Sequence, residues 1–143
     1  MTSWQDPEAV RFMLDDCDTW AVVGLWGDPS RTAYTIAELL QVRGKRIVPI
    51  HPSAAQEGGL TVLGERGYAS LAEVPFPVDV VDVFRRSESA GEFADQAVAV
   101  GARAVWFQLG VADEAAFERT TAAGVPMVMD TCPAIEWAKR PAG

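Results

Sequence analysis

Basic residues, cysteine, histidine and long apolar runs are all scarce in this chain of 143 residues. Twelve Lys and Arg against 20 Asp and Glu give a net charge of -8, a field that repels nucleic acid and anionic lipid. Two cysteines, Cys17 and Cys132, are too few for a disulfide framework or a zinc site and fit a reducing compartment. No apolar run approaches the roughly 18 residues of a membrane span, and the opening MTSWQDPEAV lacks the basic and apolar regions of a secretory signal. The expectation is a cytoplasmic protein with neither a nucleic-acid nor a membrane partner. What is present is the composition of an ordered globular protein, 49% hydrophobic and 22% charged, with no polar low-complexity tract or internal repeat. The length suits one domain, 1–143, able to bury roughly 70% of its unfolded surface. A leading helix falls within 1–18 and the core within 19–143.

Asp6-Pro7 reads as an N-cap with proline at the first helical position, and Val10, Met13, Leu14 and Cys17 follow at helical spacing. Continuous apolar runs at Trp20–Gly24, Arg46–Ile50, Val78–Phe84, Ala104–Leu109 and Val125–Met129 read as buried strands. Helical patterns alternate with them over Ser30–Arg43, Glu88–Val100 (burying Ala90, Phe93, Ala94 and Ala97), a segment capped by Asp113, and Ala134–Lys139. His51–Gly67 reads as a loop with a short extended piece at Leu60–Leu63, and Ser70-Leu71-Ala72-Glu73 has capping-box spacing. Strands alternating with helices predict an α/β fold: a five-stranded parallel sheet with helices on both faces, three layers in all.

In such sheets ligands sit beyond the C-terminal strand ends, where strand order reverses. The first such end reads AVVGLWGDPSRTAY, Ala21 to Tyr34. Its glycines allow close backbone approach, the following helix N-terminus offers free N–H groups, and Arg31 can add a charge-assisted contact, as a diphosphate requires. The alternative is that Gly24 and Gly27 only make a tight strand-to-helix turn. The dinucleotide fingerprint G-x-G-x-x-G fails, because Trp26 stands at its second glycine and Pro49-Ile50-His51-Pro52 stands where NAD needs an acid. Phe84-Arg85-Arg86-Ser87 places two forked cations at the same edge, either for a polyphosphorylated ligand or paired with Glu88 or Glu92.

With AVVGLWGDPSRTAY, GKRIVPIHP, YASLAEVP, VDVVDVFRR, GARAVWFQLG and MDTCPAIEW, the chain resembles the small stand-alone coenzyme A-binding proteins from about Trp20 to Trp137. Their Rossmann-like domain is also the N-terminal domain of the succinyl-CoA synthetase alpha subunit. The resemblance implies that coenzyme A or an acyl-CoA is the ligand. Its phosphates would lie on Gly24, Trp26, Gly27, Asp28, Pro29, Ser30, Arg31 and Thr32, with His51, Pro52, Ser53, Phe84, Arg85 and Arg86 flanking the nucleotide. The pantetheine arm would run toward Gln108 to Gly110. Three positions depart from the family, which often has a small residue at Trp26, asparagine at His51 and arginine at Thr131. Trp26 either stacks on adenine or narrows the phosphate site.

Catalytic constellations are sparse. His51 is a candidate phosphate donor or general base, or a structural residue bonded to a loop carbonyl. Cys132, at a helix start, is either a reactive thiol able to form a mixed disulfide with CoA or a buried inert thiol, and Cys17 belongs to the core. Asp79 and Asp82 differ by three in a strand and face opposite ways, so they form no carboxylate pair. Asp130 is expected to bond a loop N–H or a ligand hydroxyl. The phosphorylated histidine of the synthetases belongs to a second domain that is not expected here, so the resemblance does not imply their activity. The reading is a CoA-binding module without catalysis, with no metal and with a possible homodimer or protein partner. The alternatives are an NAD(P)-binding oxidoreductase or redox sensor, and an interaction protein with no ligand.

Overall fold

A computed structural model describes residues 3–140, so the outermost residues assigned to the domain above lie outside it. Asp6 caps α1 (Pro7–Arg11) by accepting the Ala9 N–H at 3.0 Å. The chain continues as a wider i to i+5 turn, Phe12–Asp16. Cys17 lies beyond the helix in extended form, its carbonyl accepting from Lys45 Nζ at 2.7 Å and Trp20 Nε1 at 3.3 Å.

The strands are β1 (Thr19–Val23), β2 (Arg46–Ile50), β3 (Thr61–Val62), β4 (Glu65–Arg66), β5 (Val80–Val83), β6 (Ala104–Phe107) and β7 (Met127–Val128). The helices after α1 are α2 (Thr32–Val42), α3 (Ser87–Ala99), α4 (Glu114–Ala122) and α5 (Pro133–Ala138). Five strands form one parallel sheet in the order β2-β1-β5-β6-β7, as the sequence predicts. One face carries Trp20, Val22, Val80, Trp106 and Val128 against α1, α2 and α5, with the two indoles 5.8 Å apart. The other carries Ala21, Val23, Val81, Val83, Val105 and Phe107 against α3 and α4. Phe93 is only half-buried at its margin.

Three local expectations need correction. The loop from His51 to Gly67 contains a hairpin, β3 with β4, whose two-residue turn puts Leu63 at φ 53 and Gly64 at φ 80. Leucine is a poor residue for that left-handed turn, and Gln41 Nε2 fixes it by donating to the Leu63 carbonyl at 3.0 Å. The Ser70 capping box is not made. Glu73 accepts the Ala69 N–H at 3.0 Å instead of the Ser70 N–H, and the Ser70 side chain caps nothing. The last strand is shorter than its apolar run, because Val125 N–H is taken by Thr120 of α4, and Met129 N–H by the Trp4 carbonyl at 2.9 Å.

Both sheet edges are covered by the chain itself. Along β2, Pro49 has no N–H to offer, its carbonyl accepts from Tyr68, and Tyr68 in turn accepts from His51 N–H. Along β7, Gln5 Nε2 adds bonds to the Met129 and Asp130 carbonyls.

Candidate functional site

Strand order reverses between β1 and β5, so the C-terminal ends of these strands open toward solvent together. Gly24 ends β1 at φ 100, its N–H on the Ile50 carbonyl at 2.8 Å. A Cβ there would stand 2.8 Å from the Phe84 carbonyl oxygen. Only glycine lets the two strand ends close this far. Gly27 differs: its φ is not positive and a Cβ would meet nothing within 4 Å. The fold therefore requires the first glycine and not the second.

Beyond Gly24, buried Leu25 anchors the loop while Trp26 and Gly27 face solvent. Asp28 closes the next turn, its Oδ1 accepting from Ser30 N–H at 3.0 Å and Ser30 Oγ at 2.7 Å. These bonds hold the Asp28 carboxyl below the usual range. They also delay α2, which starts at Thr32 rather than Ser30 with Arg31 as an extended N-cap. Among the described residues, the Thr32 and Ala33 N–H groups have no acceptor, so the positive end of α2 is open.

Gly24, Trp26, Arg31, Thr32, Ala33, His51, Phe84 and Arg85 line one cleft of about 300 Å³. A second hollow of about 470 Å³ shares Arg31, Phe84 and Arg85 and adds Arg86 and Ser89. Among the described residues, no carboxylate lines either one. Arg31, Arg85 and Arg86 enter none of the ion pairs among the described residues, so the alternative pairing with Glu88 or Glu92 is not formed. Arg85 instead lies 5.9 Å from the Phe93 ring centre.

Trp26 and His51 stack with ring centres 5.8 Å apart and planes 26° from parallel. His51 Nδ1 accepts the Ser53 N–H at 3.1 Å and lies 2.8 Å from Ser53 Oγ, so the loop-carbonyl bond expected of a structural histidine is replaced by a bond to an N–H. Burial, and then the Arg85 charge, lower the His51 pKa below 6.5.

Gln108 and Gly110 line neither hollow. Gln108 is buried with Oε1 unpartnered, while Gly110 sits at φ 84 with its N–H on Asp130 Oδ1 at 2.7 Å. Asp130 thus bonds a loop N–H, one of the two roles expected of it. Gly27 to Ser30, Pro52 and Ser53 shape the rim without lining the hollows. Ser89 and the Ala33 N–H are additions that residue type alone does not flag, since each owes its place to a helix start.

The remaining chemistry-bearing groups turn inward. Thr131 is buried and donates to Glu136 Oε2 at 2.5 Å, and Glu136 also receives Lys139 Nζ at 3.0 Å. Cys132 and Cys17 are both buried. Burial raises both thiol pKa values, that of Cys17 to about 11. We expect a thiol reagent at pH 8 to label the native protein at least about tenfold more slowly than the unfolded chain. Fast labelling of Cys132 in the native state would make it a chemical partner for a ligand thiol after all.

The CoA binding domain family model matches residues 18–138. The uncharacterized protein YneT of Bacillus subtilis is 34% identical over 123 residues, 86% of this chain and 87% of that protein. A Thermus thermophilus structure, cell-free ID.343, superposes with a TM-score of 0.83 at 31% identity, covering 92% of this chain and 96% of that one. An acetyl-coenzyme A synthetase of Ca. Korarchaeum cryptofilum shares the fold, with a TM-score of 0.66 at 22% identity over 80% of this chain and 26% of its own.

Proposed function

Because the chain belongs to the CoA-binding domain family, we propose that it holds coenzyme A or an acyl-CoA by the phosphates in the Gly24–Arg31 cleft and performs no chemistry on it. The observation that carries this reading is the Gly24–Phe84 approach. It brings Arg31, Arg85 and the open N–H groups of α2 around one small cleft in a chain of net charge -8. Backbone N–H groups at a helix start and forked guanidinium groups are the donors that phosphate oxygens select. Arg86, on the adjoining hollow, extends that cationic edge for a ligand with more than one phosphate.

Two features speak against the dinucleotide alternative: Trp26 occupies the loop where a second glycine would admit the pyrophosphate, and β2 runs into His51-Pro52 without an acid for a ribose. Absence of catalysis is supported by the groups themselves. His51 Nδ1 is tied to Ser53 without a carboxylate behind it, and both thiols are buried.

Calorimetric titration of protein freed of carried-over ligand tests the reading. CoA should bind, 3'-dephospho-CoA at least tenfold more weakly, a gap of about 1.4 kcal/mol, and NAD not at all. Arg85→Ala should weaken CoA by about tenfold or more while leaving the melting temperature in place, since Arg85 joins no ion pair among the described residues. Binding of NAD in preference to CoA would reverse the order of the two readings.

A further inference from the structure

His51 is the chain's single histidine, and two neighbours fix its ring. Trp26 stacks on one face, and Nδ1 accepts the Ser53 N–H. An imidazole nitrogen that accepts from an N–H carries no proton, so the proton of the neutral ring sits on Nε2. Nε2 lies across the ring from Ser53 and has no hydrogen-bond partner among the described residues, on a ring that lines the cleft. The charged groups lining that cleft are Arg31 at the start of α2 and Arg85 beyond β5, while the nearby Asp28 carboxylate is turned onto Ser30. Both lining charges are positive and disfavour an imidazolium.

We propose that His51 is a proton-linked phosphate reader: neutral without ligand, with Nδ1 capping the Ser53 N–H, and protonated when a ligand phosphate sits against Nε2–H. This rests on the phosphate reading above and adds the group that adjusts its charge. A phosphate brings negative charge that offsets the two arginines at the ring. The proton comes from solvent and bonds to Nδ1, which changes from acceptor to donor. Ser53 Oγ, 2.8 Å away, is placed to accept it. The Trp26 face favours the resulting cation. The Ser53 N–H loses its acceptor in the same step, so the turn Pro52–Ala55 loosens as the ligand binds.

A single histidine makes the test direct. Two-bond proton–nitrogen spectra of labelled, tag-free protein would be recorded from pH 8 to 5 alone, with saturating CoA, and with 3'-dephospho-CoA. Alone, Nε2 should carry the proton and the ring should titrate below 6.5. With CoA the pKa should rise by about one unit or more. A rise retained with dephospho-CoA assigns the diphosphate as the group read, and a rise lost assigns the 3'-phosphate. By linkage, CoA should bind up to tenfold tighter at low pH for each unit of rise, beyond any pH effect seen in His51→Asn. A proton on Nδ1 in the protein alone, or a pKa that saturating CoA leaves in place, overturns the proposal. Failure of CoA to bind at all in the calorimeter overturns the phosphate reading itself, and this inference with it.

Discussion

Gly24→Ala should destabilise the protein by roughly 3 kcal/mol and remove CoA binding together. The backbone at φ 100 strains any residue with a Cβ, at about 1–3 kcal/mol, and the added carbon would lie 2.8 Å from the Phe84 carbonyl oxygen. Relief requires the ends of β1 and β5 to separate, and that separation moves Arg85 away from Arg31 and the start of α2. Gly27→Ala is the matched control. It meets nothing within 4 Å and needs no special φ, so its unfolding midpoint should stay within about 0.5 kcal/mol of the parent. Its CoA affinity should fall if the ligand passes close to that backbone. Urea unfolding and calorimetry on the two variants separate the roles. A loss below about 1 kcal/mol for Gly24→Ala would mean that Phe84 gives way easily and the close approach is not what shapes the cleft.

Asp82→Val should raise stability by about 1–3 kcal/mol near pH 4, the usual cost of a buried, un-ionised polar group without a hydrogen bond, and by more at neutral pH. Asp82 lies inside β5 between Val22 and Trp106, fully buried, and neither carboxyl oxygen has a protein partner. Burial lifts its pKa well above 3.8. The sign follows from linkage. Above pH 3.8 the unfolded chain ionises this group while the folded chain keeps it protonated, so the folded state loses stability as pH rises. The loss amounts to at most about 1.4 kcal/mol per pH unit and ends where the folded carboxyl itself ionises. Valine has no such dependence, so the stability gap between variant and parent should widen from pH 5 to pH 8. Parallel curves would show that Asp82 is already ionised in the native protein and is satisfied there.

The fold was legible because its strongest signals are periodic. β2 falls at its predicted residues, and each of the five sheet strands overlaps its predicted run. The ends moved where single hydrogen bonds decide them, as Asp28 does for the start of α2 and Trp4 for the end of β7. The hairpin at Leu63-Gly64 was not legible, since a leucine at positive φ is held there by Gln41 from another element. For the site, the two cationic loops and the glycine turn could be read from residue type and place. The unequal importance of Gly24 and Gly27 could not, because it depends on how near Phe84 comes. Asp82 was considered only as half of a carboxylate pair, and its isolation is a property of packing rather than of spacing. The turn of Thr131 away from the cleft likewise rests on Glu136, five residues along α5.

A sheet that is sealed by its own chain at both borders has a consequence for how this protein can associate. Tyr68 closes the β2 side around Pro49, and Trp4 with Gln5 closes the β7 side. Among the described residues, a second copy therefore finds the backbone groups at Pro49, His51 and Met129 already occupied, which disfavours fibre-like stacking at both ends. Assembly is left to helix and loop surfaces and to the β3–β4 hairpin. Growth by strand exchange would first require peeling away residues 4 and 5 or the stretch around Tyr68, so the same short segments that finish the fold also keep concentrated protein from templating itself.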